Sequence, residues 1–179
     1  MSDHTIYIVD RDATLEEAPA LASRVMQWLE EQGIAVPAPD AEVAFAPATH
    51  TAGPNASAWV EWLDEWSRCG VVAQTGRQVF HTGGNGVDGL ECPRCRTMHG
   101  ADDIAWGEAV DAWYEQEDDR LACPACAESS SITDWRFADM AWGFGNLAFA
   151  FDGIGVEQKL ADAIGAVLGH RVVLVYQSI

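Results

Sequence analysis

The chain is short of positive charge: its 179 residues include ten lysines and arginines against 28 aspartates and glutamates, a formal net charge of −18. Lys159 is the sole lysine. Neutralising nucleic-acid phosphates takes clustered Lys and Arg, so this balance argues against DNA or RNA as a partner. A basic protein partner is compatible with it, but so are solubility alone, a GC-rich genome and mild salt adaptation. Long apolar runs are also missing, and no stretch could span a bilayer. Met1-Ser2-Asp3-His4 lacks the basic and apolar regions of a secretory signal, so the expected location is the cytoplasm, where thiols stay reduced. No Gly-x-x-x-x-Gly-Lys loop occurs, which excludes a P-loop ATPase. No Ser, His and Asp set stands out either.

What the chain does have is two Cys-Pro-x-Cys pairs, Cys92-Pro93-Arg94-Cys95 and Cys123-Pro124-Ala125-Cys126, with 27 residues between them. Each Cys-x-x-Cys turn puts two sulfurs on one side of the backbone. Two such turns can therefore close a tetrahedral Zn²⁺ site without strain. Cys92, Cys95, Cys123 and Cys126 are the expected metal ligands, and zinc the expected cofactor. The redox alternative needs a Cys-x-x-Cys at a strand-to-helix junction, whereas Cys92 follows a Gly-rich turn. His99, four residues past Cys95, reads as a neighbour of the site rather than a ligand. The fifth cysteine, Cys69, has no partner motif and reads as a small buried hydrophobe. A metal whose four positions are all filled by sulfur does no chemistry, so no catalytic residue is expected here.

Length and a hydrophobic content of 49% predict one domain with a real core, or one domain carrying a small insertion. Thr5–Val9 reads as a strand, and Thr14 caps a helix to about Gln32, stopped by Gly33. Glu42–Phe45 reads as a short strand. Ser57 to about Arg68 is predicted helical, with Trp59, Trp62, Leu63 and Trp66 as an inward stripe. Arg77–His81 is a strand, and Ala105–Gln116 a helix. Ile132–Phe137 is strand-like. Leu147, Phe149 and Phe151 alternate along a strand over Gly145–Phe151. Val156–Leu168 is a helix stopped by Gly169, and Arg171–Tyr176 a closing strand. These elements predict an α+β fold: a ferredoxin-like (split βαβ) antiparallel sheet, helices on one face, with an inserted zinc-ribbon module. Residues 1–89 and 136–179 would form the core domain and 90–135 the insertion.

Asp10-Arg11-Asp12-Ala13-Thr14 resembles the Asp-x-Asp-x-Thr signature of haloacid-dehalogenase-type phosphatases. That resemblance implies a nucleophilic Asp10, an acid at Asp12 and Mg²⁺. The well-placed Lys and the later acidic pair after a parallel strand have no counterpart, and a capped strand-to-helix turn explains the same residues. His81-Thr82-Gly83-Gly84-Asn85-Gly86 leads into a cysteine knuckle and reads as a Gly-rich hairpin turn, not a phosphate cradle. Trp106 and Trp113, on a helix in a small module, are the aromatic pair expected to meet a partner.

From Leu90 onward the chain resembles a group of short, uncharacterised bacterial zinc-ribbon proteins, some mislabelled as sugar-transporter ATPases. The likeness rests on Cys92-Pro93-x-Cys95, Trp106, Cys123 with Cys126, Ile132–Trp135, Gly143-Phe144 and Leu168-Gly169. The group carries no established activity, so the resemblance implies architecture and zinc but no role. The expected function is therefore a protein-binding or adaptor module with structural zinc. The alternatives are an acidic inhibitor or immunity-type protein for a basic partner, and the Asp10/Asp12 phosphatase. A protein is the expected partner, with neither nucleic acid nor membrane.

Overall fold

A computed structural model describes residues 4–43, 46–64, 69–82, 86–138 and 140–178. Strand β1, His4–Asp10, is buried on both faces: Ile6 and Ile8 point one way, Tyr7 and Val9 the other. Helix α1 spans Ala18–Glu31. Thr14 and Glu17 form a reciprocal capping box ahead of it, since the Thr14 N–H donates to the Glu17 carboxylate and the Glu17 N–H to Thr14 Oγ1. Pro19 has no N–H, which delays the continuous helical ladder to Ala18. The helix ends in a Schellman turn: Gly33 at φ +67° donates to Glu30, and Ile34 donates to Leu29.

Short strands follow: β2 (Ala35–Pro37), β3 (Glu42–Val43), β4 (Ala46–Pro47) and β5 (His50–Ala52). Ala44 and Phe45, the rest of the strand expected over 42–45, lie outside the described residues. The helix expected from Ser57 to Arg68 is not formed over 60–63. A single 3-10 turn, Ala56–Ala58, leads into strand β6, Val60–Leu63. The spacing of Trp59, Trp62 and Leu63 is helical, but pairing with a strand near the C-terminal end overrides it. Trp59 packs edge-on to Trp28 at 5.6 Å, and the lone Lys159 donates to the Ala58 carbonyl at 2.7 Å. Trp62 is exposed rather than inward, and Trp66 lies outside the described residues.

Strand β7 (Gly70–Phe80) is the longest. After it come β8 (Gly89–Glu91), β9 (Met98–Gly100), helix α2 (Trp106–Tyr114), β10 (Arg120–Ala122), β11 (Ser129–Ser131) and β12 (Arg136–Phe137). The segment expected to be strand-like at Ile132–Phe137 is a 3-10 turn at Ile132–Asp134, capped by Ser131, and only then β12. The chain closes with β13 (Gly143–Asp152), β14 (Ile154–Val156), helix α3 (Gln158–Leu168) and β15 (Val172–Ser178).

The result is a mixed α+β structure with one six-stranded sheet in the order β15-β1-β13-β7-β5-β2, every neighbouring pair antiparallel. Leu147, Phe149 and Phe151 of β13 join Ile6 and Ile8 against Leu21, Val25 and Leu29 of α1 and Leu160, Ile164 and Leu168 of α3. Both helices therefore cover one face. The opposite face, with Tyr7, Val9, Ala148, Ala150 and Val175, takes Ala41 and Ala48. A second core gathers Leu90, Trp113, Leu121, Ile132, Trp135 and Phe137 around two cysteines, and it reaches Phe144 and Val79 on β13 and β7. A bulge at Asn146 separates these two stretches of β13, and there Asn146 Nδ2 donates to the Ala13 carbonyl. No helix among the described residues is long and apolar enough to cross a membrane.

Candidate metal centre

Two hairpins carry the cysteines. The first knuckle joins β8 to β9 and the second joins β10 to β11, antiparallel in both cases. Their backbones repeat one pattern. Cys92 N–H donates to Thr97 O (3.0 Å) and Arg96 N–H to Cys92 O (3.0 Å). Cys123 N–H donates to Glu128 O (2.9 Å) and Ala127 N–H to Cys123 O (2.8 Å). The residue after each second cysteine takes the left-handed conformation, Arg96 at φ +63° and Ala127 at φ +61°. Glycine fills that position at least strain, yet neither knuckle has one.

The turns bring Cys92, Cys95, Cys123 and Cys126 together, with all four Sγ atoms within 4.8 Å of one another. Cys92 Sγ lies 3.9 Å from Cys126 Sγ, and Cys95 Sγ 3.7 Å from Cys123 Sγ. A tetrahedron with Zn–S bonds of about 2.3 Å has edges of about 3.8 Å. A disulfide would need about 2.05 Å. The spacing thus fits four thiolates around one ion and not two bridges. Four sulfur donors in that shape suit a soft or borderline metal ion.

The surroundings favour ionised sulfur on one side and resist it on the other. Hydrogen bonding from Thr97 holds the Cys95 thiol down to about 6. Cys126 has a backbone hydrogen bond at Glu128 that lowers it, but burial and the other sulfurs push it up to about 12. Four thiolates crowded together repel, and a divalent cation at their centre removes that conflict. His99 Nε2 sits 3.2 Å from Cys123 Sγ, a neighbour that can donate to the sulfur rather than a member of the four-sulfur group. The Arg94 N–H also donates to Cys92 Sγ, at 3.4 Å. Thr97 and Glu128 carry no sequence signal beyond lying two residues past a cysteine.

Trp106 and Trp113 do not form the outward surface expected of them. Trp113 is only 8% exposed, packs edge-on to Phe144 at 5.2 Å and lies under the Arg77 guanidinium at 3.9 Å. Trp106 is half-buried against Phe137 and Trp142. The aromatic that α2 does expose is Tyr114, at 56%.

Cys69 is half-buried, its thiol donating to the Gly153 carbonyl at 3.2 Å, and burial raises its pKa. Asp10 and Asp12 are both committed to closing loops. Asp10 is fully buried: Oδ1 accepts from the Asp12 and Ala13 N–H groups (2.8 and 3.0 Å), and Oδ2 meets His170 Nδ1 at 2.8 Å. Asp12 accepts from the Arg171 N–H at 2.8 Å and from its guanidinium. Among the described residues every strand pair is antiparallel, so the parallel strand that the phosphatase signature requires is missing.

Compared with protein-family models, curated proteins and solved structures, the chain matches none of them. The zinc-ribbon resemblance is left with the four-cysteine group as its support.

Proposed function

We propose that this is a zinc-binding protein whose metal is structural, with Cys92, Cys95, Cys123 and Cys126 as the ligands. The observation carrying the reading is the set of four sulfurs within 4.8 Å on two knuckles of matching hydrogen-bond pattern. With every tetrahedral position taken by sulfur, the ion has no open site for water or substrate. It works as a clamp.

The clamp holds residues 90–135 as a ribbon module inserted into a core of residues 1–89 and 136–179. Two pairings support this division. Strands β8 and β12 pair at Glu91–Arg136, so the segment leaves and returns at one place, and β7 and β13 on either side pair from Gly70–Asp152 to Phe80–Gly143. The four long strands, taken as β1, β7, β13 and β15, stand in the order 4-1-3-2 with α1 after the first and α3 after the third. That order supports the split βαβ reading.

The module serves as a cytoplasmic binding or adaptor surface for another protein. A second reading, neutralisation of a basic partner, has its own support. Asp102, Asp103, Glu108, Asp111, Glu115, Glu117 and Asp118 are all exposed along α2 and its flanks, with no basic residue between them. Affinity purification from a reducing lysate, with Asp111→Lys/Glu115→Lys in parallel, separates the two. A partner retained by that variant favours the adaptor, and loss of a basic partner favours neutralisation.

Cys123→Ser tests the clamp and the domain division together. Tryptophan emission should shift to the red as Trp113 and Trp135 lose their packing, while most far-UV circular dichroism persists. Global unfolding would show that the segment is part of the main core.

A further inference from the structure

Four of the chain's ten basic residues line a single cavity of about 520 Å³ on the cysteine-bearing segment: Arg94, Arg96, Arg120 and Arg136. Only Glu91 and Asp134 oppose them in the lining. In a chain of net charge −18, this is a local reversal of sign. The arginines come from separate places, two from the first knuckle, one from β10 and one from β12. Glu91 acts as a spacer: it accepts from Arg96 at 3.0 Å and from Arg136, holding both guanidinium groups at the rim. Hydrogen bonds from Arg136 and Arg96 keep the Glu91 carboxyl below its usual range.

The cavity also contains donors with nothing to bond. Among the described residues Arg94 has no side-chain hydrogen bond or ion pair, and the Ser129 and Ser130 hydroxyls have no partner. Ser130, 9% exposed as a residue, also lines the cavity. Arg120 contributes Nη2 to the Ser129 carbonyl at 2.6 Å, which fixes its guanidinium beside those hydroxyls. Donors without a protein partner, gathered under positive charge, are free to bond an anion that enters the cavity.

We propose that this cavity binds a small, multiply charged phosphate anion. Planar guanidinium forks match phosphate oxygens two at a time, and hydroxyls complete the set. Pro93 is the one apolar residue in the lining and no aromatic ring is present, so nothing would stack on a nucleobase. A nucleic-acid strand is disfavoured by the exposed acidic residues from 102 to 118 on the same segment.

Calorimetric titration of the full chain, as purified and at low salt, uses pyrophosphate and inorganic phosphate as probes, with citrate as a carboxylate control. The metal content is measured before and after. Pyrophosphate should bind one to one, more tightly than phosphate or citrate, and weaken as NaCl is added. Arg94→Gln and Arg120→Gln should each reduce affinity about tenfold, with unchanged metal content, while Arg24→Gln on α1 leaves it alone. Three results would overturn the proposal: no binding at millimolar pyrophosphate, citrate binding equally well, or equal loss in Arg24→Gln. So would metal loss in Arg94→Gln with pyrophosphate affinity intact, because the arginines would then serve only to balance the charged sulfur centre.

Discussion

Arg96 and Ala127 are conformational counterparts: each follows the second cysteine of its knuckle, at φ +63° and +61°, and donates its N–H to the carbonyl of the first. The left-handed region brings Cβ against the backbone at a cost of roughly 1–2 kcal/mol. The rest of each knuckle must over-determine it, and a metal tying both turns together can do so.

Ala127→Gly should therefore stabilise the protein, even though glycine also loosens the unfolded chain. The expected gain is about 1 kcal/mol, or a rise in thermal midpoint of about 2–4 °C for a chain of this size. Differential scanning calorimetry of the two proteins checks it. A lower midpoint for Ala127→Gly would mean the turn is not strained.

Asp10 should matter for folding rather than for chemistry. Its removal in Asp10→Ala leaves the Asp12 and Ala13 N–H groups and His170 Nδ1 without their acceptor. Each buried orphan costs about 1–3 kcal/mol, so the loss should exceed about 3 kcal/mol. Asp10→Asn keeps an acceptor oxygen and should lose less. Urea unfolding measures both, and an Asp10→Ala protein as stable as the parent would contradict the role.

The Asp12–Arg171 pair predicts a pH signature. Hydrogen bonding to Arg171 holds the Asp12 carboxyl down to about 2, below its ordinary 3.8. A depressed carboxylate adds stability above its unfolded pKa, and that stability drains away as pH falls through the folded value. The advantage of the parent over Arg171→Gln should be full at neutral pH and shrink between about pH 4 and pH 2. Any acid effect at the cysteine cluster is common to both proteins, so the difference isolates the pair. Screening at this exposed site keeps the effect small. A constant difference across that range would exclude the linkage.

Local pattern carried much of this structure. The alternation of Leu147, Phe149 and Phe151 and the Gly169 stop are read directly from spacing, and the repeated Cys-Pro-x-Cys turns announce the sulfur cluster. What spacing could not convey depends on contacts distant in the chain. Val60–Leu63 becomes a strand because β14 pairs with it, more than 90 residues later. Trp113 turns inward because Phe144 and Arg77, from the two long strands, enclose it. The arginine cavity is likewise invisible locally, since Arg94, Arg120 and Arg136 meet only after both hairpins have formed.

The most direct test of the central claim is metal and thiol analysis of the same purified sample. One zinc ion per chain should be found, with Cys69 the only thiol free to react with a thiol reagent. The other four should titrate once a chelator or acid removes the metal, because thiolate ligation is undone by competing ligands or protons. A protein free of zinc with all five thiols titrating would contradict the account.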